Sequence, residues 1–303
     1  MTDHFSSGPR LVEPSGDPRR EAVDSLRGYA YQLYVSALAW LRLQSEERLY
    51  LEVAEDFALV SRGALEGVQV KDTSGSGRVT INSQDVRQAL ASFVDLVKRN
   101  PRAKVTLRFL STSEIGVEKS LEDRAAAQSV LEYWRKAASG ADVTPLREAI
   151  LRAEITDEVR TFIQARDDDA LRRDLLQRVF WDCGFAALDG VKRELADALV
   201  VYGSDRLRLT PRDVEGLPAM VVGEVLDASL RSEAHARWLD AAALLRLCEE
   251  RTRTAVPKSL LEDLIRNVFP SSGEGSAPVV SRRLLESVNN VPMPTDVLPR
   301  QHV

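Results

Sequence analysis

The chain has 303 residues, 44% of them hydrophobic and 29% charged, enough for two modest domains or one large one whose core needs no disulfide staples. Its 41 Lys and Arg against 46 Asp and Glu give a formal net charge of −5, which excludes a broadly basic nucleic-acid coat but leaves room for a local basic cleft. No stretch approaches the roughly 18–20 uninterrupted apolar residues of a membrane span, and the polar start lacks the apolar core of a signal peptide, so a cytoplasmic protein without a membrane partner is expected.

Residues 1–20 carry Pro9, Pro14, Gly16 and Pro18 among charges, a composition that buries too little surface to offset ordering, and they read as a flexible tail. From Glu21 to Leu43 the apolar residues Val23, Leu26, Tyr29, Ala30, Leu33, Ala37, Trp40 and Leu41 recur at three- and four-residue steps, which predicts an amphipathic helix. Arg48–Ser61 is rich in β-branched and aromatic residues and is interrupted at Ala54-Glu55, so it reads as two short strands or one bent one. After Gly63 and Gly67, Glu66–Thr73 alternates as a strand, with Val68 and Val70 on one face and Gln69 and Lys71 on the other. Ser83 caps a helix that carries Val86, Leu90, Phe93, Val94 and Val97 on one stripe and stops at Asn100-Pro101. Lys104–Leu110 follows as a strand and runs into the polar loop Ser111–Glu114.

From Leu121 the texture changes to Ala, Leu, Arg, Glu and Asp at helical spacing, in segments near 123–138, 145–152, 155–165, 168–180, 188–202, 211–230 and 234–252. Cys183 and Cys248 sit in these patterns without a CxxC or a His-rich neighbourhood and read as small buried hydrophobes, as Phe180-Trp181 and Trp238 read as core. Pro270–Pro278 is a linker by composition, Val279–Val288 regains helical periodicity, and Val291–Val303 is Pro-rich. The expected fold class is therefore an α/β N-terminal domain with a helix–strands–helix–strand core at 21–120, an all-α domain at 121–269, and a linker and C-terminal segment at 270–303.

Within the first domain, Glu52 and Asp56 lie in an apolar strand pair, where carboxylates are costly to bury unless they are paired or bind a cation. Gln69 and Lys71 share one strand face. If that strand lies beside Asp56, acidic oxygens, an amide oxygen and an ammonium converge, a donor set suited to Mg²⁺, with Mn²⁺ as a substitute. Asp56, Glu52, the Gln69 side chain and the Val70 backbone carbonyl would hold the metal, and Lys71 would orient the attacking water or offset charge on the phosphate. The same residues also suit a half-exposed strand face with surface ion pairs worth about 0–1 kcal/mol. His4, His235 and His302 are dispersed, and no GxxxxGK[ST] is present.

The order Asp56, then Gln69-Val70-Lys71, within helix–strands–helix–strand resembles the PD-(D/E)XK phosphodiesterase superfamily, the restriction-endonuclease-like fold, in the variant where Gln precedes the lysine. Arg27-Gly28-Tyr29-Ala30-Tyr31-Gln32, Leu51-Glu52 with Glu55-Asp56, Val68-Gln69-Val70-Lys71 and Phe109-Leu110-Ser111-Thr112 look like the double-stranded DNA nuclease domain of bacterial anti-phage effectors. The resemblance covers about residues 21–120. It implies catalytic positions at Asp56, Gln69 and Lys71, metal positions at Glu52, Asp56, Gln69 and Val70, and a supporting position at Gln32. It also implies a Mg²⁺-dependent endodeoxyribonuclease with little sequence specificity, working as a homo-oligomer. Its partners would be cyclic-oligonucleotide (CBASS) sensors, or STAND-type NTPases or HerA-type ATPases in the same or a neighbouring chain. The C-terminal Leu298-Pro299-Arg300 is similar to the stretch ahead of a STAND ATPase domain, as if the chain were the effector portion of a longer protein. Asp72, directly after Lys71, departs from the pattern and would hinder phosphate approach unless it points away. A nuclease fold retained as a DNA- or protein-binding module without turnover is the competing reading.

Overall fold

A computed structural model of the chain describes residues 23–73 and 77–252. The expected tail at 1–20, the linker at 270–278 and the C-terminal segment to Val303 lie outside the described residues. One compact unit ends at Cys248, and a second comprises Glu249–Val303.

The three- and four-residue apolar spacing builds α1 (Val23–Leu41), which buries Tyr31, Val35, Leu38 and Trp40. Then come β1 (Arg48–Leu51), β2 (Phe57–Ser61) and β3 (Ala64–Lys71), each antiparallel to the one before. The β2–β3 turn passes through Gly63 at φ 78°, a left-handed conformation that glycine adopts without a Cβ clash. Helix α2 (Gln84–Arg99) crosses over and returns the chain as β4 (Lys104–Ser111), parallel to β3, as a parallel pair requires. The α/β expectation for this half of the chain holds in element order.

The all-helical expectation for residues after 121 is corrected in two places. Val179–Cys183, expected within and just after a helix, is β5, parallel to β4 from Leu107↔Val179 to Ser111↔Cys183. Trp238–Asp240 is β6, antiparallel to β1. Both join the same sheet, whose order is β5-β4-β3-β2-β1-β6. The physical reason is tertiary: a sheet edge offers unpaired backbone donors and acceptors, and a short apolar segment laid against it pairs whatever its helical spacing suggests.

Within the expected segments helices form around this sheet, several shorter than expected and 211–230 split in two: α3 (Val130–Ala138), α4 (Thr144–Arg152), α5 (Asp157–Gln164), α6 (Asp168–Leu171), α7 (Leu188–Tyr202), α8 (Pro211–Val214), α9 (Leu217–Ser229) and α10 (Ala241–Thr252). They divide between its two faces. On one face Leu107, Phe109 and Trp181 pack with Phe93 of α2, Trp134 of α3 and Ile163 of α5. On the other, Leu49, Leu51, Val68, Val70 and Leu110 pack with Tyr31 and Leu38 of α1, Leu195 of α7 and Val221 of α9. Trp40 Nε1 donates to the Asp240 carbonyl at 2.8 Å and ties α1 to β6. The second half of the chain thus completes both cores of the sheet. None of the described helices is long and apolar enough to cross a membrane.

Candidate active site

The pairing of β2 with β3 ends at Phe57↔Val68, while β3 continues to Lys71. Beyond that point the backbone of β3 has no strand partner on the β2 side, and buried N–H and C=O groups must be satisfied otherwise. Side chains do it. Asp56 Oδ2 accepts the Val70 N–H at 2.6 Å, and Gln32 Nε2, reaching in from α1, donates to the Val70 carbonyl at 3.4 Å. The sequence expectation that Asp56 lies beside Gln69-Val70-Lys71, with Gln32 pointing toward it, matches this geometry.

Alternation along β3 sends its side chains to opposite faces. Val68 and Val70 enter the apolar core under α1. Gly67, Gln69 and Lys71 face α2, where Lys71 Nζ lies 3.6 Å from Asp85 Oδ1 in the helix's first turn. Gln69 is 8% exposed, and its Oε1 is buried and accepts no hydrogen bond. A buried acceptor oxygen without a donor carries a desolvation cost that a cation or a ligand donor would remove. Beside Asp85 a hollow of about 130 Å³ opens, lined by Thr73, Arg78, Ser83, Phe109 and Ser113 among others.

Glu52 departs from the expectation. It is not in a strand but exposed in the bend Glu52–Asp56 between β1 and β2, at a left-handed φ of 52°. Its N–H donates to the Asp56 carbonyl at 3.1 Å, and its own carbonyl accepts from Arg237 at 3.2 Å. The interruption expected at Ala54-Glu55 is there and separates two short strands, but it is wider than expected and takes Glu52 out of the sheet with it.

Sequence reasoning gave Glu55 no role, and the structure brings it in. At φ 127° this residue holds a backbone conformation that L side chains rarely adopt. The bend folds over β3 at Gly67, where an added Cβ would sit 3.1 Å from the Ala54 carbonyl oxygen and 3.3 Å from Glu55 Cγ. Gly67 thus gives Glu55 room to lie on the Gln69 and Lys71 face, under a hydrogen bond with Ser92 of α2. The sequence signals were the place of Glu55 directly before Asp56 and a glycine inside a strand, the usual mark of a close backbone approach.

The electrostatics of this group are set first by burial. Desolvation pushes the Asp56 carboxyl above its ordinary range, against the Val70 N–H, the Lys71 ammonium and the Gln32 amide, which favour its charge. Glu55 is likewise raised, by burial first and then by Asp56 and Asp95, with Ser92 and Lys71 opposing. Glu52, exposed as a residue, is raised by the partial desolvation of its carboxyl and then by repulsion from Asp56, with Arg237 opposing. Asp72 turns away from this face: it accepts from Arg27 Nε of α1 at 2.9 Å and from Thr112 Oγ1 at 3.2 Å.

Among the described residues no set of three His, Cys, Asp or Glu side chains is gathered closely enough to hold a metal ion. The oxygen donors at the end of β3 are mixed: the Asp56 carboxylate, the Gln69 amide oxygen and the Val70 backbone carbonyl. No family model matches the chain, and neither a curated protein nor a solved structure matches it.

Proposed function

We propose that this chain is a divalent-metal-dependent endonuclease acting on double-stranded DNA, of the PD-(D/E)XK kind in its Asp…Gln-x-Lys form. The observation that carries the reading is the end of β3: Asp56, the orphaned Gln69 Oε1, the Val70 carbonyl and Lys71 meet where β2 stops and β3 runs on. The element order helix, three antiparallel strands, helix and parallel strand supports it further. So does the placement of Gln32.

The residues fit a hard cation, because an acceptor oxygen buried without a donor suits an ion that takes oxygen ligands. The Asp56 carboxylate, Gln69 Oε1 and the Val70 carbonyl would hold Mg²⁺ or Mn²⁺, which when bound supplies positive charge to the phosphate and lowers the pKa of water. Glu52, exposed in the bend, stands outside this set. In the hydrolysis a water oxygen bonds to phosphorus, a phosphorus–oxygen ester bond breaks, and the water's proton ends on the leaving oxygen. Lys71 orients that water or offsets the charge gathering on the phosphoryl oxygens, a preorganised cation in a half-buried site. Asp85 keeps its ammonium aimed along the face shared with Gln69. Asp56 fixes the backbone of Val70, and Gln32 fixes it from the other side.

The resemblance of residues 21–120 extends the proposal to biology. The nuclease would be an anti-phage effector with little sequence preference, active as a homo-oligomer and controlled by a STAND-type or HerA-type ATPase in the same or a neighbouring chain. A plasmid cleavage assay tests the core of it: cleavage with Mg²⁺ or Mn²⁺, none in EDTA, and loss in Lys71→Ala. Undiminished cleavage by a folded Lys71→Ala variant overturns the assignment. Metal-independent DNA binding by a wild-type chain that never cleaves favours the module without turnover.

A further inference from the structure

The site as drawn has an imbalance of charge. A divalent cation between Asp56 and Gln69 would face one carboxylate and one neutral amide, because the residue just before Val70, whose N–H Asp56 accepts, is Gln69. Lys71, the nearby ammonium, already has Asp85 as its counter-ion. Three observations indicate where a second negative oxygen would come from. Glu55 precedes Asp56 in the bend, and its side chain lies over Gly67, two residues from Gln69 on the same face of β3. It is close enough to Asp56 and Lys71 for both charges to act on it. Gln69 Oε1, on that same face and more than nine-tenths buried, lacks any partner. An unpaired buried acceptor on the strand face over which Glu55 lies suits a positive group, and no described side chain donates to it.

We propose that Glu55 supplies the second carboxylate of the cation site, laid across Gly67 beside Gln69. Gly67 is then a positioning residue: it holds Glu55 near the ion by having no Cβ, with Leu96 Cδ1, the Ala54 carbonyl and Glu55 Cγ filling the space at 3.0, 3.1 and 3.3 Å. The positive φ at Glu55 is the local strain that this placement requires. Ser92, from α2, steadies the carboxylate as outer-shell partners steady metal ligands. The inference rests on the metal-dependent reading above.

The test is Mn²⁺ binding to the full chain, measured by titration calorimetry and by the Mn²⁺ resonance signal after chelator treatment, with circular dichroism to verify folding. Asp56→Asn serves as the reference for losing the first carboxylate. Glu55→Gln, which keeps the shape and the Ser92 contact, is expected to weaken Mn²⁺ binding at least about 10-fold. Gly67→Ala changes no carboxylate yet pushes Glu55 aside, and it is expected to weaken Mn²⁺ in the same direction. Adding Gly67→Ala to Glu55→Gln should then cost little more than Glu55→Gln alone, because both act through one contact. Wild-type Mn²⁺ affinity in Glu55→Gln alongside loss in Asp56→Asn overturns the role of Glu55 and leaves the nuclease reading intact. A wild-type chain that binds no Mn²⁺ removes both together.

Discussion

Even and odd positions of β3 meet different surroundings. Val68 and Val70 are 2% and 1% exposed and press against Tyr31 and Leu38 of α1 and the apolar stripes of α7 and α9. Gly67, Gln69 and Lys71, one step away along the same backbone, face α2 across an absent Cβ, an orphaned oxygen and a half-exposed ion pair. The even face lowers the free energy of folding through apolar burial at roughly 25 cal/mol per Å². The odd face raises it, since burial opposes the charges of Glu55 and Asp56 and leaves Gln69 unsatisfied. A strand can carry both because the period of two keeps the faces apart. Substitutions on the two faces should therefore separate activity from stability.

The largest effect is expected on the odd face and in activity alone. Lys71→Ala should lower the rate of DNA cleavage by about 10²–10³-fold, as the loss of a preorganised charge-stabilising group does. Its melting should change little, because the pair with Asp85 is exposed enough to be worth about 0–1 kcal/mol. Parallel cleavage and thermal-melt measurements check this. A Lys71→Ala variant that loses both activity and several kcal/mol of stability would erase the contrast between the faces.

The converse substitution is Val68→Ala on the even face. Deleting two buried methyl groups in a packed core should cost about 2 kcal/mol and lower the melting temperature by roughly 4–8 °C in a domain of this size. The rate constant for cleavage below the melting range should remain within about a factor of three, since Val68 packs in the apolar core and the cavity left there relaxes locally. Urea titration and single-turnover cleavage separate the two readouts.

How much of this was legible in the sequence follows the same physics. Helices α1 and α2 and strands β3 and β4 carry their own periodicity, and Gln69 and Lys71 announced a shared face by being two apart. Strand β5, Val-Phe-Trp-Asp-Cys, starts only two residues after a helical run, and Gly184 just past its end is its one turn signal. Its pairing is decided by β4, which no local window contains. Strand β6 is three residues long and exists through its register with Arg48, Leu49 and Tyr50. Asp56 was legible because spacing and the apolar strands point to it, whereas Glu52 was placed in a strand it leaves. Glu55 was hidden for a different reason. Its place depends on a positive φ and on the empty side of Gly67, two facts that appear only when the bend is folded over β3.

A subtler effect sharpens the claim that the odd face is destabilising. Burial raises the folded-state pKa of Asp56 above its unfolded value, so the folded chain binds its proton more tightly than the unfolded chain. Stability therefore falls as pH rises from the ordinary carboxylate range, about 4, through the raised pKa, and the whole cost is present at neutral pH. Asp56→Asn, which can still accept the Val70 N–H, should melt higher than wild type at pH 7 in EDTA. The gain should vanish at a pH below the ordinary aspartate range, where both chains are uncharged at this position. An Asp56→Asn variant that melts lower than wild type at pH 7 would mean that the Val70 hydrogen bond outweighs desolvation.

The smallest effect concerns the contact that joins β3 to α2. Asp85 and Lys71 meet at 3.6 Å with side chains 39% and 30% exposed, and such pairs contribute at most about 1 kcal/mol because water and salt screen them. Asp85 also sits in the first turn of α2, where a negative charge gains about 0.3–1 kcal/mol from the helix dipole. Asp85→Asn is thus expected to cost no more than about 1 kcal/mol, and less at high salt. Its effect on cleavage should exceed its effect on melting, because the Lys71 ammonium loses the anchor that aims it. A double-mutant cycle with Lys71→Ala isolates the coupling between the two side chains. If that coupling exceeds about 2 kcal/mol, the pair is structural, well beyond an exposed ion pair, and the odd face holds the fold together after all.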